Sequence, residues 1–262
     1  AAALRLIAEQ GTAAFYQGPI GQAMVEAVQR DGGALTHDDL GRFQVSSTEP
    51  LRFQALGRAF LTMPPPSSGG VAMAEAIGIL ERIQEHENPD WMKRADTSRA
   101  AERNGAIWTP MLEVVMNSSE FSHEMIESFK HAFADRAEWL SDPAFHAVPV
   151  AELTSTKYLD DRASTYNAAK TLLPDAYGTR AGAARSAQLD DHGTSHFSVV
   201  DSLGNAVACT DTINLGFGSC LAVDQFGFIL NDQLDDFTTR RGKANAFGLK
   251  QSDRNLPAHA MR

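Results

Sequence analysis

The pattern of hydrophobic positions predicts helices over much of the first two thirds of the chain. From Pro19, apolar residues recur at helical spacing until Gly32, which indicates an amphipathic helix that begins at a proline. Thr36 and Asp39 have the spacing of a capping box and predict a short helix. A further helix is expected at about 122–140. The residues along one face of this helix are Met125, Phe129, Phe133, Ala137 and Leu140.

Two short strands and a rigid turn separate these helices. Residues 51–55 and 60–62 alternate with period two around a turn at 56–58, which predicts a hairpin. The segment 63–70 contains three prolines, which remove backbone donors, so it cannot continue a strand. It leads into a helix in which three apolar residues are expected to face the protein interior. These residues are Met73, Ile77 and Leu80.

The last third of the chain has the alternation of strands. Residues 172–193 have almost no periodic apolar signal and predict a mobile connector. Residues 196–201 and 206–210 then predict a hairpin, and 227–231 a third strand. The sequence therefore predicts an α+β fold in which a helical region is followed by an antiparallel sheet.

Composition excludes several classes of protein. The 262 residues are 43% hydrophobic and 21% charged, which is typical of a folded globular chain. The formal net charge of −10 argues against nucleic acid as a partner, because such partners require a basic surface. No apolar run is long enough to span a membrane. The two cysteines, Cys209 and Cys220, have neither a disulfide-scaffold nor a metal-binding spacing.

The junction of Gly193 and Thr194 is the most informative place for chemistry, because a polar loop meets an apolar strand there. If that bond were cut, Thr194 would carry a hydroxyl nucleophile and an α-amine in one residue. An α-amine has a pKa of about 7.7 to 8.0 and can take the hydroxyl proton. A plain transition from loop to strand explains the same residues. His192 and His196 lack further ligands, so no metal site is predicted.

An ordered set of motifs resembles the γ-glutamyltransferase family over nearly the whole chain. The segments that carry the resemblance are 63–70, 134–136, 140–143, 194–201, 204–208 and 230–237, together with Thr210, Thr212, Asn214 and Phe217-Gly218. The family has the αββα sandwich of the N-terminal nucleophile hydrolases and is made as a precursor that cuts itself before a threonine. The resemblance therefore implies cleavage between Gly193 and Thr194 into a large and a small subunit.

The resemblance also implies the roles of individual residues. Thr194 is the expected nucleophile, which forms an acyl-enzyme from glutathione or another γ-glutamyl amide. Water, an amino acid or a peptide then accepts the acyl group. Thr212 is expected to hydrogen-bond the nucleophile and to assist self-cleavage. Asn214, Gln233 and Asp236 are expected to hold the substrate's α-ammonium group, which needs acceptors and negative charge. The resemblance implies no cofactor and a periplasmic or extracellular location, whereas composition alone predicts no location.

In this scheme residues 1–193 are the end of a large-subunit-like region, and 194–262 are the start of a small-subunit-like region. The chain is then the central portion of a precursor, without the family's adjacent serines, oxyanion glycines and upstream arginine. Phe247 stands where some members have a lid tyrosine. An incomplete sheet leaves strand edges that favour homo-oligomers.

Two alternatives to a γ-glutamyl transferase or hydrolase stay open. One is a catalytically inactive fragment that keeps the fold and serves in binding or assembly. The other is a related acylase that uses Thr194 on a different amide. Asn214, Gln233 and Asp236 favour a substrate with an α-amino group over the acylase substrate.

Overall fold

The computed structural model of the protein describes residues 2–87, 89, 118–144, 147–179 and 194–236, with the backbone alone described at Asp236. The helices in these ranges are α1 (Ala2–Gln10), α2 (Ala13–Tyr16), α3 (Pro19–Arg30), α4 (His37–Arg42), α5 (Gly69–Glu87), α6 (Ser119–Trp139), α7 (Val150–Leu153) and α8 (Thr156–Ala163). The strands are β1 (Leu51–Ala55), β2 (Arg58–Thr62), β3 (Thr194–Val200), β4 (Ala206–Thr212), β5 (Ala222–Val223) and β6 (Phe228–Ile229). Short 3-10 turns lie at Pro174–Ala176 and Gln233–Asp236.

The chain divides into two compact units, and the first combines residues 1–47 with 190–235. Its core surrounds α3, whose Ile20 is fully buried. Val223 and Phe226, from the second of the two sequence segments, belong to the same core. The candidate chemistry at the start of β3 therefore lies in a unit that contains residues from both ends of the described chain.

The predicted helix boundaries in this unit are confirmed. Helix α3 has proline in its first turn, where a missing N–H costs nothing. Helix α4 begins with a complete capping box, in which Thr36 Oγ1 accepts the Asp39 N–H at 3.2 Å. The Asp39 carboxylate accepts the Thr36 N–H at 2.8 Å in return. That carboxylate is favoured in its ionised form, so its pKa is lowered, first by the hydrogen bond from the Thr36 side chain.

The strands within the described ranges form three separate two-stranded antiparallel sheets. The predicted hairpins β1–β2 and β3–β4 are both present, and the short pair β5–β6 includes the predicted third strand. In β3–β4, Thr194 pairs with Thr212 at one end and Val200 with Ala206 at the other. Large apolar side chains of this hairpin are exposed, including Phe197 at 53%.

The second compact unit contains residues 48–189 and 236–262, and α5 lies at its centre. Helix α5 packs against α6, α8 and the β1–β2 hairpin. The prediction that Met73, Ile77 and Leu80 face the interior is wrong, because all three are half-buried. The large apolar residues that α5 buries are Val71, Ile79 and Ile83. The buried surface of α5 is broad because neighbours contact it from several sides, so one helical stripe does not describe it.

Helix α6 is confirmed as a helix, but its inner face is polar. Met125, Phe129 and Phe133 are 36%, 43% and 41% exposed. The side chains that α6 buries include Glu124, Glu127, His131 and Asp135. They are buried because each has hydrogen-bond partners inside the unit, which offsets the cost of removing it from water.

Residues 172–179, the start of the predicted connector, have specific side-chain and backbone contacts with α6. Residues 180–193 lie outside the described residues. The mobility of the connector stays a prediction. The two compact units do not divide the chain at 193/194. The predicted boundary there is a cleavage site and not a boundary between compact units, so it also stays a prediction. In the described ranges, no helix combines the length and apolar character that crossing a bilayer requires.

Candidate active site

Thr194 and Thr212 face each other at the first residue pair of the β3–β4 hairpin. Their hydroxyl oxygens are 3.0 Å apart, which is hydrogen-bond distance. The antiparallel register produces this contact, because residues directly opposite each other extend their side chains from the same face of the sheet. Two residues separated by seventeen others in the sequence thus form a hydroxyl pair at the end of the hairpin where β3 begins.

Asn214 orients the Thr212 hydroxyl. The Asn214 N–H donates to Thr212 Oγ1 at 2.9 Å. Asn214 has a φ of 75° and is 2% exposed. Asparagine tolerates this left-handed conformation better than most residues, so the residue type fits the sharp turn that follows β4. The backbone of Asn214 is therefore part of the hydroxyl pair's immediate surroundings.

Asp232 joins the end of β4 to the Gln233–Asp236 turn. Its backbone oxygen accepts Asn214 Nδ2 at 3.3 Å, and its carboxylate accepts the Leu215 N–H at 3.1 Å. Its own N–H donates to the Ile213 backbone oxygen at 3.2 Å. The sequence predicts no role for this residue, although it lies in the motif 230–237. The signal that could have indicated its role is its position as a short acidic residue directly before Gln233.

The loop after β4 lies very close to the segment before Gln233, and Gly218 makes this possible because it has no side chain. A Cβ atom at this position would lie 2.2 Å from the Leu230 backbone oxygen. Ser219 fixes the same approach, because its N–H and its hydroxyl both donate to that oxygen, at 2.9 and 3.0 Å. The loop after β4 and the segment that leads to Gln233 are thus held together by backbone contacts.

The predicted site residues are described to different extents. Thr194, Thr212 and Asn214 form one hydrogen-bonded cluster. Gln233 begins the 3-10 turn, and its N–H donates to Asn231 Oδ1 at 3.0 Å. Asp236 ends that turn, and its side chain lies outside the described residues, as do Gly193 and Phe247.

His196 lies two residues along β3 from the hydroxyl pair and on the same face. Its Nδ1 is 2.7 Å from Thr210 Oγ1, and its Nε2 is 3.2 Å from Ser198 Oγ. His192, the other histidine considered as a metal ligand, lies outside the described residues. Within the ranges that the structure describes, no group of three or more potential ligands could hold a metal ion.

Chemically, the cluster supplies one hydroxyl that can act as a nucleophile and a second hydroxyl that can exchange a hydrogen bond with it. The Asn214 N–H occupies one lone pair of Thr212 Oγ1, so the orientation of that hydroxyl is restricted. The α-amine of Thr194 exists only when its bond to Gly193 is broken. In an uncut chain this nitrogen is part of a peptide bond and cannot serve as a base.

Comparisons with known proteins agree with these motifs. The sequence model of the family described as Gamma-glutamyltranspeptidase matches residues 1–262. The glutathione hydrolase proenzyme of Pseudomonas aeruginosa is 40% identical over 252 residues, which are 96% of this chain and 40% of that protein. The Acylase ACY 1 proenzyme of Pseudomonas sp. strain V22 is 33% identical over 93% of this chain and 38% of its own length.

A solved structure shows the same relationship. The γ-glutamyltranspeptidase of Pseudomonas nitroreducens complexed with L-DON is 35% identical, with a TM-score of 0.52. The match covers 67% of this chain and 45% of that chain. The chain thus spans about 40% of the length of the curated relatives that it matches. With an α+β architecture of the N-terminal nucleophile hydrolase type, this chain belongs to the γ-glutamyltranspeptidase family.

Proposed function

We propose that the protein is a γ-glutamyl hydrolase and transferase that acts on glutathione and related γ-glutamyl amides through Thr194. The observation that carries the proposal is the 3.0 Å contact between Thr194 Oγ1 and Thr212 Oγ1 at the first pair of the hairpin. It supports the proposal because a nucleophilic hydroxyl needs a fixed position and a polar neighbour. The 40% identical glutathione hydrolase proenzyme supports the substrate class.

Self-cleavage is the first step of the proposed function. Thr194 Oγ1 attacks the carbonyl carbon of Gly193, the bond from that carbon to the Thr194 nitrogen breaks, and the nitrogen takes a proton to become an amine. Water then hydrolyses the resulting ester. The products are a carboxylate at Gly193 and a Thr194 residue with a free hydroxyl and a free α-amine. The contact with Thr212 supports this step because it holds the hydroxyl at the start of β3.

Turnover uses the new α-amine as the base. The amine accepts the Thr194 hydroxyl proton as the oxygen attacks the γ-carbonyl of the substrate, and it returns a proton to the departing amine. The γ-glutamyl group is then held as an ester on Thr194. Water releases it as glutamate, whereas the amino group of an amino acid or a peptide gives a new γ-glutamyl amide.

Asn214, Gln233 and Asp236 are the proposed α-ammonium site. Asn214 Nδ2 donates to the Asp232 backbone oxygen at 3.3 Å, which fixes the orientation of the side-chain amide. An amide oxygen is an acceptor of the kind that an ammonium group requires. Gln233 and Asp236 lie at the two ends of one 3-10 turn, which Asp232 ties to Asn214.

The test compares two anilides that differ in one group. γ-Glutamyl anilide has an α-amino group, and glutaryl anilide has the same carbon skeleton without it. The full-length gene product is expected to hydrolyse the first much faster than the second, and its Thr194→Ala variant is expected to hydrolyse neither. Preference for glutaryl anilide would support the acylase alternative instead. The 33% identity in sequence to an acylase proenzyme is the reason to test that alternative. Hydrolysis of neither compound by the unaltered protein would support an inactive remnant.

A further inference from the structure

The loop that follows β4 contains residues whose backbone needs support from outside the loop. Asn214 and Cys220 have φ values of 75° and 59°. These values lie in the left-handed region, which a Cβ atom makes unfavourable, so contacts with other residues must hold the loop there. The segment 230–232 provides such contacts by hydrogen-bonding to the loop at both of its ends. The two ends are held in different ways.

The end of the loop far from the hydroxyl pair is held by the backbone of Leu230. The N–H and the hydroxyl of Ser219 donate to the Leu230 oxygen, at 2.9 and 3.0 Å. The Leu230 N–H donates to the Leu221 oxygen at 2.9 Å. These three bonds use backbone atoms of Leu230, so the type of its side chain does not set them.

The end of the loop next to the hydroxyl pair is held by Asp232. Its N–H donates to the Ile213 oxygen at 3.2 Å, and its backbone oxygen accepts Asn214 Nδ2 at 3.3 Å. Its carboxylate Oδ1 accepts the Leu215 N–H at 3.1 Å. Three consecutive loop residues are thus bonded to one residue of the segment. Of these contacts, the one with the Leu215 N–H depends on the carboxylate, which is a strong acceptor for a backbone N–H.

This carboxylate and Thr212 together bind two consecutive N–H groups of the loop. The Asn214 N–H donates to Thr212 Oγ1 at 2.9 Å, and the next N–H, that of Leu215, donates to the Asp232 carboxylate. Because each peptide group is planar, φ and ψ of Asn214 fix how these two N–H groups point relative to each other. Holding the Leu215 N–H therefore restricts the direction of the Asn214 N–H.

The direction of the Asn214 N–H matters because Thr212 Oγ1 contacts the proposed nucleophile. That N–H occupies one lone pair of the oxygen, which leaves its proton and its other lone pair for further contacts, among them the one with Thr194 Oγ1 at 3.0 Å. A hydroxyl that accepts a hydrogen bond is polarised and becomes a stronger donor itself. A misdirected Asn214 N–H would therefore weaken the support that Thr212 gives to the Thr194 hydroxyl.

We propose that Asp232 is a positioning residue for the reaction of Thr194. Its carboxylate holds Asn214 in the left-handed conformation that directs the Asn214 N–H to Thr212 Oγ1, and Thr212 in turn contacts the nucleophile. This inference rests on the proposed function. All of these groups belong to the same compact unit, so their contacts do not depend on how the two units are placed.

The experiment is a double-mutant cycle of Asp232→Ala with Thr212→Val in the full-length gene product. Self-cleavage is followed as the time course of the two pieces by intact mass. Asp232→Ala is expected to slow cleavage about 3- to 10-fold, which is within the range of couplings in one hydrogen-bond network. In the Thr212→Val background the same change should slow cleavage less than about 1.5-fold, because the oxygen through which Asp232 acts is gone.

Asp232→Asn tests whether the acceptor for the Leu215 N–H is what matters. The asparagine Oδ1 can accept this N–H as the carboxylate does, so the variant should cleave within about twofold of the unaltered rate. This comparison decides the matter by itself where Thr212→Val cleaves too slowly to follow. Where Asp232→Ala does not fold, Asp232→Ser takes its place, since the shorter serine side chain leaves its hydroxyl further from the Leu215 N–H.

Asp201→Ala is the matched control, because Asp201 makes the same kind of contact at the other end of the β3–β4 hairpin. Its carboxylate accepts the N–H groups of Leu203 and Asn205, at 2.9 and 2.8 Å. The change removes a carboxylate that fixes a turn but leaves the contacts of Thr212 and Asn214 in place. Cleavage should therefore stay close to the unaltered rate, even where thermal stability falls.

Four results would overturn the inference alone. They are unchanged cleavage in Asp232→Ala, an equal slowing in the Thr212→Val background, an Asp232→Asn variant as slow as Asp232→Ala, and an equal slowing in Asp201→Ala. Each leaves the proposed function intact, because the unaltered protein still cleaves. No cleavage in the unaltered protein, together with no hydrolysis of γ-glutamyl anilide, would overturn the proposed function as well.

Discussion

At the scale of single residues, the site depends on one hydroxyl pair, and Thr212→Val tests it. Valine keeps the shape of threonine but removes the oxygen that lies 3.0 Å from Thr194 Oγ1. A hydrogen bond to a group that becomes charged contributes about 1.5–3 kcal/mol, which corresponds to about a 10- to 100-fold loss of rate. We expect a loss of this size in self-cleavage, measured from the time course of intact masses.

Thr210→Val is the matched control for this prediction. Thr210 lies on the same face of β4, two residue pairs further from the site, and its hydroxyl contacts His196. The same change of side chain should therefore leave cleavage close to the unaltered rate. An equal loss in both variants would mean that the hairpin needs threonine for its structure, so the hydroxyl pair would lose its special role.

A second residue-scale prediction compares two adjacent carboxylates. Asp236→Asn is expected to raise KM for γ-glutamyl anilide by about 10- to 100-fold, because a charged hydrogen bond to the α-ammonium group contributes about 1.5–3 kcal/mol. Asp235→Asn should raise KM much less. Steady-state kinetics of both variants decide the matter, and equal effects would contradict the assignment of Asp236 to the ammonium site.

Most of the candidate site could be predicted from the sequence, because the motifs name residue types and positions directly. Thr194, Thr212 and Asn214 lie together in the structure. Asp232 was missed, since its role depends on how the loop after β4 folds back onto the segment before Gln233. A contact of that kind follows from the path of the backbone, which local residue types do not specify.

At the scale of elements, replacing either of two adjacent glycines at the start of α5 by alanine is expected to change the stability of the protein in different ways. A Cβ at Gly70 would lie 2.1 Å from the Met63 backbone oxygen, whereas a Cβ at Gly69 would meet only Ser67 Oγ at 4.0 Å. Gly70→Ala should therefore destabilise the protein by about 1–3 kcal/mol, because the backbone of the turn must move. Gly69→Ala should be neutral or slightly stabilising, since alanine favours helix.

Urea unfolding of the two alanine variants gives the comparison under identical conditions. The difference between their midpoints measures the steric contact alone, because both changes add one methyl group at the start of one helix. Equal midpoints would show that the segment 63–70 does not approach α5 as closely as the structure has it.

The helices and strands could be predicted more reliably than the faces that they bury. Period and punctuation place α3, α4, α6 and both long hairpins correctly, since these signals are local. The inner face of α6 could not be predicted from its hydrophobic pattern. That pattern places Phe129 and Phe133 on the inner face, but both are exposed, whereas Glu127, His131 and Asp135 are buried. Burial of those groups depends on partners 44 to 50 residues away along the chain.

At the scale of the whole molecule, one buried carboxyl makes stability depend on pH. Burial, and then the neighbouring Asp135 carboxylate, raise the pKa of Glu75 from 4.5 to about 10. Between these values the folded chain holds a proton that the unfolded chain has lost. The corresponding stability is therefore fully present below pH 4.5 and is lost as the pH rises toward 10.

His131 has the opposite dependence. Its pKa falls from 6.5 to about 4 on folding, so its contribution is present above pH 6.5 and is lost as the pH falls toward 4. The slopes from Glu75 and His131 oppose each other between pH 4.5 and 6.5. Above pH 6.5 the Glu75 slope remains, with a size of up to about 1.4 kcal/mol per pH unit.

Glu75→Gln is therefore expected to flatten the decline in stability between pH 7 and 9. Glutamine keeps the shape of the neutral carboxyl and has no proton to lose in this range. Urea midpoints at pH 7, 8 and 9 provide the measurement. Glu127→Gln is the control, because the pKa of Glu127 is lowered to about 2 and the group does not titrate there. A decline that is equally steep in Glu75→Gln would contradict the assignment of the buried proton.

The proposed function as a whole depends on whether the protein itself breaks the bond between Gly193 and Thr194. The most direct measurement is the intact mass, under denaturing conditions, of the freshly purified full-length gene product and of its Thr194→Ala variant. Self-cleavage predicts two pieces from the unaltered chain, with the second beginning at Thr194, and one uncut mass from the variant. A single uncut mass from both chains would contradict self-cleavage at Thr194 and the function proposed for it.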